Sequence, residues 1–222
     1  MKIIATADLH GQLPPPCEPC DLLIIAGDIC PDNRPIVRQG EWLERVFIPW
    51  LKAQPAVKIV GIWGNHDFIG LPKYAANRPE LSGYIEMLTD ETTVVNGLMI
   101  YGYPWTPGPP TMPKWAFMHV GDTPMTLVGE IPHNLDILIS HGPPYGYHDV
   151  APTPNDDGDF HVGSKNLLLW CREITPKHLV CGHLHGGRGS SQADWGGMVW
   201  NVASVDDRYN PYPERYMEIT ID

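Results

Sequence analysis

The chain has 222 residues, 43% of them hydrophobic, a length that one large domain can span and a composition able to fill a sizeable core. Its 26 acidic against 15 basic residues give a formal charge of −11 with no Lys/Arg-rich block, which argues against nonspecific nucleic-acid binding. No run approaches the roughly 18 apolar residues that span a membrane. The apolar start from Ile3 to Ala7 is too short for a secretory signal, and five cysteines, an odd number, argue against a disulfide framework. A soluble, cytoplasmic protein with a single domain over residues 1–222 is expected.

The elements follow in chain order. Ile3 to Ala7 predicts a first strand, running into Asp8 and His10. Cys17 and Cys20 then form a C-x-x-C in a Pro-rich loop; Cys171 and Cys181 supply no second pair at zinc-ribbon spacing, so these are read as free loop thiols. Leu22 to Ala26 predicts a strand before Asp28. A helix is expected from Pro35, a residue allowed at a first helical position, until Pro55 stops it. It carries Ile36, Trp42, Leu43, Val46, Phe47, Trp50 and Leu51, mostly at three- and four-residue spacing. Val57 to Trp63 predicts a strand before Asn65 and His66.

Thr92 to Val95 and Leu98 to Tyr101 flank Asn96-Gly97, which signals a type I′ hairpin and the start of a second, antiparallel layer. Leu135 to Ser140 leads to His141, Leu167 to Cys171 suits a short helix, and Leu179 to Cys181 leads to His183 and His185. Met198 to Val202 and Tyr216 to Ile221 read as further strands. Short apolar runs alternating with helix mark an α/β protein. Two proline-bearing tracts, residues 104–113 with Trp105 and residues 141–159 with Tyr145 and Tyr147, read either as pocket walls or as plain surface connections.

In open α/β sheets the loops leaving the carboxyl ends of parallel strands meet in one crevice. Asp8, Asp28, Asn65, His141, His183 and His185 all take such positions, with Gly27, Gly64, Gly142 and Gly182 beside them. Oxygen and imidazole donors without thiolate suit manganese, iron or zinc, and they are too many for one ion. A carboxylate can bridge ions roughly 3.5–4 Å apart, and Asp28, central in the set, is the natural bridge. Such a pair would clamp a phosphoryl group and generate hydroxide at neutral pH. A compact anion can reach it, because a bound dication outweighs the mean surface charge at short range.

The blocks Asp8-Leu9-His10, Gly27-Asp28, Gly64-Asn65-His66-Asp67, His141 and Gly182-His183-Leu184-His185 stand in the order of a known pattern. In them the chain resembles the calcineurin-like metallophosphoesterases. Ile100 to Pro107 and Ser140 to Pro144 further resemble the small metallophosphoesterase-domain-containing branch. The resemblance implies an α/β/β/α sandwich, two packed mixed sheets flanked by helices. It also implies that Asp8, His10, Asp28 and His185 bind a first metal, and Asp28, Asn65, His141 and His183 a second. His66 is implied to be catalytic, donating a proton to the leaving oxygen, with Asp67 orienting its ring. His183, which some members lack, is present, so full metal occupancy and turnover are implied.

The phosphoprotein-phosphatase branch continues Gly-Asp into Asp-Arg-Gly, whereas here Ile29-Cys30-Pro31-Asp32 follow, which disfavours that activity. The expected function is a phosphodiesterase acting on small nucleotide esters, cyclic ones included, through a metal-bridging hydroxide. A phosphomonoesterase and a catalytically silent metal-binding scaffold are the alternatives. Trp105, Tyr145 or Tyr147 would stack on a base or else pack internally. Arg188 would meet a phosphate oxygen or else stand free on the surface. His119, His133 and His178 are read as ordinary surface or loop residues, and His148 and His161 as candidates for pocket lining. Oligomeric state is not encoded in any of these features.

Overall fold

The computed structural model describes residues 1–32, 36–109, 115–122, 131–151 and 160–221. The chain begins with β1 (Ile3–Thr6), β2 (Cys20–Ala26), α1 (Ile36–Trp42), a π turn (Leu43–Phe47), α2 (Ile48–Lys52) and β3 (Ala56–Ile62). It continues with β4 (Glu86–Met87), β5 (Glu91–Val95), β6 (Leu98–Tyr103), β7 (Thr106–Gly108), β8 (Met118–Val120) and β9 (Ile137–Ser140). It closes with β10 (Val150–Ala151), β11 (Phe160–His161), α3 (Lys165–Ile174), β12 (His178–Cys181), β13 (Gly189–Gln192), β14 (Met198–Asn201) and β15 (Met217–Ile219).

Two mixed sheets carry the fold. The first has the order β15-β1-β2-β3-β4, parallel throughout except for β15. The second has the order β13-β14-β12-β9-β6-β5, with β14, β12, β9 and β6 parallel and antiparallel partners at both edges. The hairpin is present, with Asn96 at φ 50° and Gly97 at φ 85°, both in the left-handed region a type I′ turn requires. The layer it opens is mixed rather than antiparallel. A hairpin fixes only its own pair, and the long crossovers after β6 and β9 bring the chain back in the same direction.

Successive residues on these strands face different cores. Ile3, Ala5, Leu22, Ile24, Val60 and Ile62 pack against Ile100, Ile137, Ile139 and Val180 between the sheets. Leu23, Ile25 and Ile59 turn the other way, onto Trp42, Leu43, Phe47 and Ile48 of the helical segment. Leu138 and Leu179 similarly meet Leu167, Trp170 and Ile174 of α3. Burial on both faces is why the strands read as continuous apolar runs.

The predicted helix is helical from Ile36 to Lys52 but is interrupted by the π turn; Pro35 lies outside the described residues. The interruption has a cause at Pro49. Its ring would clash with the carbonyl of Arg45 in a regular helix, and the Ile48 N–H instead reaches back to the Leu43 carbonyl, widening the turn just before the proline. Among the described residues no helix is long and apolar enough to cross a membrane.

Candidate active site

Asp8, Asp28, Asn65, His141 and His183 each follow the carboxyl end of a parallel strand, and the structure brings them together. The exits of β1 and β2 are laced by hydrogen bonds from Asp8 N to Gly27 O (3.0 Å) and from His10 N to Asp28 O (2.9 Å). Asp8, His10, Asp28 and His183 have φ values of 54°, 44°, 50° and 67°. Side chains rarely adopt that region, and it persists where the surroundings over-determine the backbone. Gly64 and Gly182 allow the approach: a Cβ there would lie 2.3 Å from Asp28 Oδ1 and 2.4 Å from Asp8 Oδ2 respectively.

Asp28 is the hub. Its Oδ1 accepts from His66 N at 2.7 Å. Its Oδ2 lies 3.3 Å from His141 Nε2, 3.8 Å from His10 Nε2 and 3.9 Å from His66 Nε2. Asp8 accepts from His183 N at 3.0 Å and faces His185 Nε2 at 3.9 Å. His141 Nε2 is 2.9 Å from Asn65 Oδ1, and its Nδ1 is 3.0 Å from Ala26 O. Donor atoms of Asp8, His10 and His185 lie within 4.8 Å of one another, as do those of Asp28, His141 and His183. Sheet one contributes the carboxylates, and sheet two contributes His141, His183 and His185.

Burial by itself would raise the Asp28 carboxyl, but His141, His66 and His10 around it hold it well below the ordinary carboxylate range. Burial lowers His141, yet the neighbouring Asp28 outweighs this and lifts the imidazole to about 9. His183 is pushed down to about 3 by burial and by His141 beside it, so its imidazole stays neutral with a free lone pair. The ionised Asp28 carboxylate, the neutral His183 imidazole and the Asn65 amide oxygen converge without thiolate, a donor set that fits divalent manganese, iron or zinc. His10 Nε2 lies 3.1 Å from His185 Nε2, so both nitrogens are within reach of one cation beside Asp8.

His66 also falls within 4.8 Å of His10 and Asp28. Its Nδ1 lies 2.8 Å from Asp32 Oδ1, and the same oxygen is 2.8 Å from His10 Nδ1. Asp32 thus orients both rings. Burial would raise its carboxyl, but the two histidines hold it well below its usual range.

The expectation that Asp67 orients His66 is corrected. The buried Asp67 turns away and accepts from Gly64 N (2.8 Å), Ile29 N (3.1 Å) and Cys30 N (2.7 Å), pinning the loop after β3 to the loop after β2. Burial and then the nearby Asp28 raise it to about 6.

The other expectations sort readily. Trp105 is stacked on His119 with its Nε1 bonded to Asp90 (2.8 Å), Tyr147 packs on Trp195, and Tyr145 lies against His161 and under Lys165. Arg188 does not stand free: it donates to the carbonyls of Ala203, Glu214 (2.7 Å) and Tyr216 (3.2 Å) and lies over Tyr212. Cys17 and Cys20 are free but buried, with Sγ atoms 4.0 Å apart. His148 bonds Gly187 O (2.8 Å) and Ser191 Oγ (3.0 Å), and His161 bonds Asp149 (2.6 Å). His133 is exposed, and His178 accepts from Trp200 Nε1. Residues 110–113 and 152–159 of the proline-bearing tracts lie outside the described residues.

Sequence reasoning did not single out Asp32, nor Trp115 and Tyr209. The ring centroid of Trp115 is 4.1 Å from that of His66; that of Tyr209 is 4.8 Å from His10 and 5.1 Å from His185. Asn201 was missed as well. Buried at the end of β14, it donates to Leu184 O (2.8 Å), between the two histidines of the Gly-His-x-His block.

An α/β/β/α sandwich with a carboxylate–imidazole cluster gathered from both sheets at strand ends defines the class of metal-dependent hydrolases. A sequence model of the calcineurin-like phosphoesterases matches residues 1–187, and the chain belongs to that family. It is therefore a metal-dependent phosphoester hydrolase. It is 29% identical to the metallophosphoesterase domain-containing protein 1 of Homo sapiens and to that of Mus musculus, over 95% of this chain and 68% of each relative. The crystal structure of TT1561 from Thermus thermophilus superposes with a TM-score of 0.58 at 14% identity, covering 91% of this chain and 88% of that one, a likeness of fold.

Proposed function

We infer that the protein is a dinuclear-metal phosphodiesterase acting on small nucleotide phosphodiesters, cyclic ones included. The observation that carries this reading is the single Asp28 carboxylate standing between two groups of donors. Asp8, His10, Asp28 and His185 would hold one divalent cation and Asp28, Asn65, His141 and His183 the other, with manganese preferred and iron or zinc as alternatives. Such a pair supplies Lewis acidity toward phosphoryl oxygens and a nucleophile drawn from water near neutral pH.

The chain's own residues do the rest. His66, its Nδ1 fixed by Asp32, has Nε2 directed into the site and delivers the proton to the leaving oxygen. Asp67 acts on the reaction by holding the loops that carry Asp28 and Asn65 in register. The charge of −11 favours a small substrate over a polyanion. The free cysteines suit a reducing compartment such as the cytoplasm.

The test is hydrolysis by metal-stripped protein before and after addition of manganese. Bis(p-nitrophenyl) phosphate and p-nitrophenyl phosphate are run side by side. Cleavage restored by manganese and faster on the diester is expected. Faster cleavage of the monoester would make the protein a phosphomonoesterase, and no cleavage with both ions bound would make it a scaffold.

A further inference from the structure

We propose that Tyr209 selects the retained organic arm of a phosphodiester and Trp115 the leaving arm, and that the arm at Tyr209 is a planar ring. This rests on the phosphodiesterase reading and gives it a substrate class: diesters bearing a nucleobase or aryl group on the retained side.

Four rings stand in a row. Trp115 lies against His66 (4.1 Å), His66 against His10 (4.9 Å) and His10 against Tyr209 (4.8 Å). The inner two belong to the cluster and the outer two flank it, with the Tyr209 hydroxyl also meeting Asp32, whose carboxylate holds the His10 and His66 rings. His66 serves the leaving oxygen, so Trp115 flanks the departing arm. Tyr209, beside His10 and at 90° to the His185 ring, flanks the arm that stays.

Tyr209 is built to be where it is. Its φ of 62° is unfavourable for a bulky aromatic residue. Asp206 Oδ1 accepts from Arg208 N and Asn210 N, both at 2.8 Å, and Gln12 donates to Tyr209 O at 3.1 Å, fixing the backbone from both sides. The residue is nevertheless 39% exposed, so packing alone gives little return for that strain. Trp115 is tethered too, through Ala116 N to Asn65 O at 3.1 Å. Each aromatic is thereby tied to a loop that carries candidate ligands. Both outer side chains present flat faces beside the histidines, and flat faces recognise planar rings by offset or edge contacts.

The test uses manganese-loaded protein and two diesters with the same leaving group, bis(p-nitrophenyl) phosphate and methyl p-nitrophenyl phosphate. The ratio of their kcat/KM values isolates the retained arm and is independent of the active fraction, so a partly folded variant still reports. Tyr209→Leu should lower this ratio about fivefold, and Tyr209→Phe should keep it within about twofold of native. Trp115→Leu should slow both esters together and leave the ratio near native. An unchanged ratio in Tyr209→Leu, or a ratio that falls in Trp115→Leu instead, overturns the assignment while the phosphodiesterase reading stands. Failure of the native protein to cleave either ester overturns that reading and the assignment with it.

Discussion

The middles and the ends of the same strands are equally buried and chemically opposite. Between the sheets, Ile24, Val60, Ile100, Ile137 and Ile139 form a core of hydrocarbon. A few residues further along, the chain buries Asp8, His10, Asp28, Asn65 and His141. Only the first of these arrangements is favourable by itself: apolar burial contributes roughly 25 cal/mol per Å², whereas buried ions cost free energy unless paired. The strand middles hold the chain together so that the strand ends can hold charges apart from water.

Each region can be broken without the other. Asp28→Asn removes the shared carboxylate and should lower kcat/KM on a phosphodiester on the order of 10³-fold, with loss of bound manganese read by elemental analysis. Ile139→Ala should do the reverse, lowering unfolding free energy by about 3 kcal/mol in a urea titration while metal content stays native. Asp32→Asn sharpens the boundary, since Asp32 meets the rings of His10, His66 and Tyr209 at the site and is not part of the core. About a 10- to 100-fold loss of activity is expected, with a melting temperature near native. Gly97→Ala, at a φ of 85° in an open hairpin turn, should cost about 1 kcal/mol of stability and leave turnover unchanged. If Ile139→Ala emptied the metal site, or Asp28→Asn unfolded the chain, the separation of roles would be wrong.

The strand ends were more legible than much of the framework. Each candidate ligand follows an apolar run, a pattern confined to a few consecutive residues, and the Asn96-Gly97 turn is equally local. Asp32 was hidden because its role arises between loops, meeting His66 from the end of a different strand. Asp67 misled for the converse reason. Adjacency in sequence suggested that it serves His66, but the two neighbours point different ways, and Asp67 has backbone N–H groups to satisfy. Trp115 and Tyr209 lie in no motif, and only tertiary placement brings them to the histidines. The π turn had a visible signal in Pro49, set against an otherwise convincing helical stripe.

The segment that carries Tyr209 has a second consequence. The family match ends at residue 187, and the chain beyond it supplies β13 at the border of one sheet and β15 at the border of the other. Without β15, the backbone of β1 would present unpaired N–H and C=O groups along an apolar stretch, an open template for a second molecule. β15 closes that row and puts Glu218 on the outside, 3.7 Å from Lys2, so the new border carries charge. The same stretch that carries Tyr209 thus covers the row of backbone groups that β1 would otherwise expose.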